Sequence, residues 1–241
     1  MSLQEILNHR RAVRHFDPAK PIDETTVKKC IELASLAPTS SNLQLWEAYH
    51  VTDKQVLEQL VPACLDQKTA RSAQQIVVFV TRQDRYKQRA KAVLAFEEGN
   101  VRRNSPTERQ DKRIKDKAMY YGKLIPFTYS RCLGLWGLVR KGLAQCVGLF
   151  RPMTRQMSEG DVRVSVHKSC ALVAQTFMLA MSEAGYDTCP LEGFDSWRVK
   201  KALKLPYNTE INMVITCGIR VPSGVWGERF RLPLEETYHK V

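Results

Sequence analysis

Apolar positions along the chain repeat with two periods. Val27, Cys30, Ile31, Leu33, Ala34 and Ala37 fall at helical spacing. Pro21 and Asp23 are placed to open that helix, and Pro38 to stop it. Ser2 is placed to cap a short helix ending near His9, and Asp195 to cap one over 196–203. Residues 54–60 read as a helix and 46–51 as a strand. Two uncharged runs, IVVFVT at 76–81 and INMVITCG at 211–218, read as buried strands. Residues 164–184 are small or apolar almost all round, which predicts a central, buried helix. A charged helical stretch begins at Arg82. Helices alternating with few strands make the class α+β or α/β.

The segment 124–150 does not fit this simple alternation. It is strongly apolar but interrupted by Gly134, Gly137, Gly142 and Gly148. Arg140 and Lys141 lie in its middle, where each would cost about 2.5–3.5 kcal/mol at a bilayer centre, so a spanning helix is disfavoured. Cys132, Leu135, Trp136, Val139, Leu143, Cys146, Val147 and Phe150 share one helical face instead. The favoured reading packs that stripe on the protein's own core or over its ligand site. The alternative lays it on an anionic membrane as an interfacial helix.

A length of 241 residues with 44% hydrophobic and 26% charged positions fits a globular chain. The net charge of +12 is local. Residues 101–160 hold 13 Lys/Arg against 4 Asp/Glu, and the rest is nearly neutral. No zinc finger, basic zipper or aromatic RNA-reading motif accompanies the excess, so no nucleic-acid partner is expected. The cysteines are seven, widely spaced and without a CxxC, and no signal-peptide pattern opens the chain. A cytoplasmic protein is expected, peripheral to a membrane only through 124–150.

No GxGxxG, P-loop, GxSxG or HExxH occurs. The five histidines never pair at helical spacing, so no metal site is expected. Cys189, beside Pro190, reads as a buried small residue rather than a nucleophile. With little chemistry in the side chains, a cofactor is expected to carry the reaction.

Four stretches carry the candidate chemistry. They are Arg10-Arg11-Ala12-Val13-Arg14, the polar loop 37–46 (APTSSNLQLW), the run 185–195 (GYDTCPLEGFD), and Gly218-Ile219-Arg220 with Arg229-Phe230-Arg231-Leu232-Pro233. In order and spacing they resemble the FMN-dependent nitroreductase family over about residues 2–82 and 161–233. The resemblance implies an α+β fold, an α/β/α sandwich with a mixed, mainly antiparallel sheet. It implies an intertwined homodimer with one FMN at each of two subunit interfaces. The whole chain, 1–241, would then be one FMN-binding domain. A basic, apolar insertion at about 88–160 and a C-terminal arm at about 222–241 would complete it.

The implied activity is ping-pong reduction of nitroaromatics, quinones or related acceptors by NADPH or NADH. Carried over by position, Arg10, Arg11, Arg229 and Arg231 would meet the FMN phosphate, with Ala12 beside them. Arg14 would face the N1–C2=O edge. Pro38, Thr39, Ser40 and Asn42 would come from the partner subunit. Asp66 or Gln67 would border the pyrimidine edge. Pro190, Leu191, Glu192 and Gly193 would run along the ring, with the Glu192 N–H near N5. Glu192 and Arg14 are thus the candidate catalytic positions.

The residue types suit those roles. A phosphate dianion needs several cationic donors, and Arg supplies a bidentate fork. A fixed cation at the N1 edge stabilises the charge that builds there on reduction. Two departures stand out: Ala12 replaces a frequent serine, and Leu45 replaces the proline before the tryptophan. Phe127, Tyr129 and Trp136 are candidate lid aromatics. Two alternatives keep the flavin: a membrane-surface protein in which FMN is structural or stored, and the same fold used for reductive dehalogenation.

Overall fold

The strand Gln75–Thr81 is buried along its whole length. Val77 and Phe79 point to one side of it, and Ile76, Val78 and Val80 to the other. Both faces must therefore be covered, and the fold follows from that demand. The computed structural model describes residues 1–241. Its helices are α1 (Leu3–His9), α2 (Glu24–Ala34), α3 (Lys54–Ala63), α4 (Lys68–Ser72), α5 (Tyr86–Asn104), α6 (Thr107–Met119), α7 (Ile125–Tyr129), α8 (Leu135–Gly148), α9 (Glu159–Glu183) and α10 (Ser196–Ala202). Its strands are β1 (Trp46–Val51), β2 (Gln75–Thr81), β3 (Asp187–Leu191) and β4 (Glu210–Gly218), in sheet order β1-β2-β4-β3.

On one face of the sheet, Val27 and Cys30 of α2 and Cys170, Val173, Phe177 and Met181 of α9 pack on Val77, Phe79 and Ile215. On the other, Leu60 of α3, Ala70 of α4 and Val199 of α10 cover Ile76, Val78 and Val214. The result is the expected three-layer α+β architecture. All named strands pair antiparallel, and the only parallel pairing is an isolated bridge between Ala12 and Thr188.

Several predicted boundaries recur. Ser2 forms a capping box with Glu5, Asp23 accepts from the Thr26 N–H, and Asp195 caps α10. α9 starts five residues before the predicted 164 because Ser158 and Asp161 form a second capping box. β3 lies in the run 185–195, to which periodicity assigns no element. Its Pro190 hid it, and proline is tolerated there because β3 lies at the edge of the sheet.

The insertion is helical and has its own apolar cluster. Leu43, Leu45, Tyr121, Ile125, Tyr129 and Val166 pack together between α5, α7 and α9. Leu45, which departs from the family pattern, is 4% exposed and is thus a core residue of that cluster. The stripe on 132–150 behaves differently from the favoured reading. α8 buries only Gly137, Arg140 and Ala144, and most of its apolar stripe faces outward.

Candidate active site

The segment 10–14 is drawn into the sheet edge beside β3. The Val13 N–H donates to Thr188 O at 3.1 Å, and the Arg14 N–H to Gly224 O at 2.7 Å. Thr69 Oγ1 donates to Val13 O at 3.0 Å from α4. Val13 is thereby buried, while Arg10, Arg11 and Arg14 stay half-buried beside it.

The C-terminal arm returns to the same place. Arg229 donates to Leu7 O at 2.9 Å, Asn8 O at 3.2 Å and Arg10 O at 2.8 Å. It thus satisfies carbonyls at the end of α1 that the helix leaves open. Arg11 donates to Gly227 O at 3.0 Å. The guanidinium carbon of Arg14 lies 5.9 Å from the centre of the Trp226 ring. Arg231 is exposed and bonds only Phe230 O, at 2.7 Å.

No carboxylate answers this charge. None of Arg10, Arg11, Arg14, Arg229 and Arg231 forms an ion pair. Burial, then the charges of Arg229, Arg231 and Arg11, hold the Arg10 guanidinium below its usual range. Arg10 Nε is buried without any hydrogen-bond partner. A buried, unsatisfied donor inside a patch of like charge calls for an anion. The residues present therefore fit a phosphate ester.

The neighbouring edge is polar backbone. Leu191 is buried, whereas Glu192 and Gly193 are exposed at the end of β3. Gln67 Nε2 donates to Gly193 O at 2.8 Å and ties the two candidate stretches together. A Cβ on Gly193 would meet only Gln67 Nε2 at 3.6 Å and Leu65 Cδ1 at 3.9 Å, which is ordinary contact. The chain itself leaves this side of Gly193 open. Cys189 is buried, and burial pushes its thiol up against the opposing pull of Arg14, so it suits packing rather than attack.

The loop 38–42 belongs to another region of the same chain. The Ser40 N–H donates to Ser169 Oγ at 3.1 Å, and Tyr129 Oη to Ser40 Oγ at 3.3 Å. Ser41 Oγ and Tyr120 Oη are 2.7 Å apart, and Tyr121 Oη donates to Ser41 O at 3.2 Å. Thr39 Oγ1 accepts from the Gln44 N–H, and Asn42 Oδ1 from Gln44 Nε2. The loop faces a cavity of about 380 Å³ whose lining includes Tyr120, Ile125, Tyr129 and Met153. No arginine of the cluster lines it, and no hydrogen bond joins the loop to them. The loop and the arginine cluster are therefore two separate polar regions of the chain.

The sequence profile of the Nitroreductase family matches residues 7–219. The chain belongs to that family. MhqN of Bacillus subtilis, named an NAD(P)H nitroreductase, is 25% identical over 231 residues, 96% of this chain and 95% of its own. The crystal structure of YdfN of Bacillus subtilis superposes with a TM-score of 0.73 at 24% identity, over 99% of this chain and 98% of that one. A nitroreductase-type protein of Exiguobacterium sibiricum, in complex with FMN, gives a TM-score of 0.68 at 20% identity, over 100% and 98%.

Within this nitroreductase-family chain, two residues of the sequence constellation do structural work. Arg220 donates from its N–H to Asp187 at 2.7 Å and from Nε at 2.8 Å, and reaches His9 O at 2.8 Å. It locks α1 to β3 and is used up there. Arg229 is partly committed in the same way. Tyr120 and Tyr121, which shape the 38–42 loop, were not singled out by sequence reasoning. The signal for them is a π-helical turn over 120–124, which no residue spacing announces.

Proposed function

We propose that this chain is an FMN-dependent NAD(P)H oxidoreductase, working as a homodimer and reducing nitroaromatics, quinones or related acceptors by a ping-pong route. One observation carries the reading: an arginine cluster free of carboxylates, with the buried Arg10 Nε unpartnered, on a segment bridged to β3, just beyond whose end Gly193 is exposed. The nitroreductase name of MhqN and the FMN complex of the Exiguobacterium protein support it.

Arg10, Arg11 and Arg231, with the remaining donors of Arg229, hold the phosphate. Arg14 supplies a fixed cation toward the pyrimidine edge, and Gln67 a polar border. The Glu192 N–H is the donor that orients the reacting edge, and the missing side chain of Gly193 allows close approach there. FMN held by these residues would supply hydride-transfer chemistry between NADH or NADPH and the acceptor.

The separation of the loop from the arginine cluster is the reason for two chains. Pro38, Thr39, Ser40 and Asn42 complete the pocket of the partner subunit, and the Tyr120, Tyr129 and Met153 wall suits a flat apolar acceptor. Leu7, Leu172, Phe230 and Leu234 are exposed apolar residues on α1, α9 and the arm that such a dimer would cover.

The test is the protein as purified. It is expected to show flavin absorbance that NADPH or NADH bleaches without oxygen and an acceptor restores, and a dimer mass by light scattering. A colourless monomer that takes up no added FMN would overturn the proposal.

A further inference from the structure

α8 turns to the protein the face that a globular helix usually turns to solvent. It is seated closely, because a Cβ on Gly137 would lie 2.5 Å from the Glu159 backbone N. The Glu159 carboxylate accepts the N–H groups of Cys132 at 2.9 Å and Gly134 at 3.0 Å, which fixes the approach to the helix. Arg140 is 1% exposed and donates to Phe127 O at 2.7 Å, Ser130 O at 2.8 Å and Met157 O at 3.2 Å. Polar anchors and a glycine, not an apolar face, thus set its orientation. The apolar residues are left outside: Leu135, Trp136, Leu138, Leu143, Leu149 and Phe150 are all exposed, Phe150 at 90%. A contiguous apolar surface of this kind marks a site of interaction.

The charge around it narrows the partner. Residues 117–158 contain seven Lys/Arg and no Asp/Glu. Lys123, Lys141, Arg151 and Arg155 are exposed and make no ion pair. A second copy docked face to face through this stripe would set Lys123, Lys141, Arg151 and Arg155 against their own kind, with Glu159 and Asp161 already engaged on their own chain. An anionic lipid surface answers both features. Its acyl boundary takes the stripe, and its phosphates take the lysine and arginine ends. Trp136 is the residue type that settles at headgroup depth. Arg140, the residue that argues against a spanning helix, is buried inside the protein with Nε and Nη1 on backbone carbonyls and need not enter lipid at all. We propose that α8 is an interfacial anchor by which the protein binds, reversibly, to the surface of an anionic phospholipid bilayer.

The inference stands apart from the flavin reading, and flavin content is measured alongside it. The experiment is flotation of the full, flavin-loaded protein with phosphatidylcholine vesicles, with and without phosphatidylglycerol. The protein is expected to float with the anionic vesicles at low salt. Partition should fall at least about tenfold in high salt or on phosphatidylcholine alone. The Leu138→Asp/Leu143→Asp and Lys141→Glu/Arg151→Glu double variants should each lose about tenfold or more, with flavin content and thermal midpoint unchanged, since all four residues are exposed. Wild-type protein that stays unbound on anionic vesicles at low salt overturns the proposal. So do leucine variants that float as well as wild type. A change of oligomeric state in those variants without vesicles also overturns it, by assigning the face to a second copy.

Discussion

Arg10→Met separates the two things an arginine at this position does. The methionine keeps much of the stem and removes the charge. In the flavin-free protein, Arg10 is a burden: Nε is buried without a partner, and Arg11, Arg229 and Arg231 add repulsion. Burying an unsatisfied donor costs about 1–3 kcal/mol. Removing it should leave the apoprotein as stable as wild type or up to about 1 kcal/mol more stable. With FMN the sign reverses. One or more charge-assisted hydrogen bonds to phosphate are lost, each worth about 1.5–3 kcal/mol, which weakens binding by roughly ten- to 150-fold. The assay is paired: urea unfolding of the apoprotein, and titration of the same apoprotein with FMN followed by flavin fluorescence. Weakened apoprotein with unchanged FMN affinity would refute the reasoning, because Arg10 would then be a structural residue. Full affinity in high salt would refute it as well, since the attraction is electrostatic.

Gly193→Ala should leave apoprotein stability within about 0.5 kcal/mol of wild type, because the new methyl meets only ordinary contacts, yet cut FMN affinity about tenfold by occupying the open side; equal affinity in the same titration would show that the flavin does not lie there. Glu210 gathers Arg131, Arg163 and His167 from the insertion and α9 onto β4. Burial alone would raise its carboxyl, but the hydrogen bonds from His167 and Arg163 and the charges of Arg163 and Arg131 outweigh that and hold it below the usual range. A depressed carboxylate adds stability above its unfolded pKa and loses it as the pH falls through the folded value. Glu210→Gln should therefore cost about 1–2 kcal/mol at pH 7 and flatten the acid side of the stability profile below about pH 5 in urea unfolding.

Much of the fold is written locally. Ser2, Asp23 and Asp195 announce helix starts because a capping side chain acts within three residues of itself. The 76–81 run reads as buried because every position on it must be apolar when both sheet faces are covered. The orientation of α8 is not local. Periodicity reveals that a stripe exists, but which side packs is decided by Gly137 against Glu159 and by Arg140 against carbonyls up to 17 residues away. The same limit applies at the site. The order of the arginines is legible, whereas the commitment of Arg220 depends on Asp187, which is 33 positions distant. The partial use of Arg229 on α1 depends on residues more than 200 positions away.

Backbone strain gathers in two loops, the ones that carry the candidate residues Ser40 and Asn42 and the candidate Gln67. Seven non-glycine residues have positive φ, and five of them are Ser41, Asn42 and Gln44 in one loop and Leu65 and Asp66 in the other. Each such residue costs about 1 kcal/mol or more, so together they weigh against a net stability of only about 5–15 kcal/mol. Strain of this kind persists only where surrounding contacts over-determine the backbone. At Asp66 those contacts are its N–H to Val61 O at 3.1 Å and Arg71 Nε to its carbonyl at 3.0 Å, which set the start of Gln67. At Ser41 they are Tyr120 and Tyr121, both from the π-helical turn of the insertion. The 120–124 turn therefore does more than roof a pocket. It holds the 38–42 loop in a conformation that the loop's own sequence disfavours. Any change in the insertion that releases either tyrosine therefore acts on the 38–42 loop through its backbone, and not only on the wall of the neighbouring cavity.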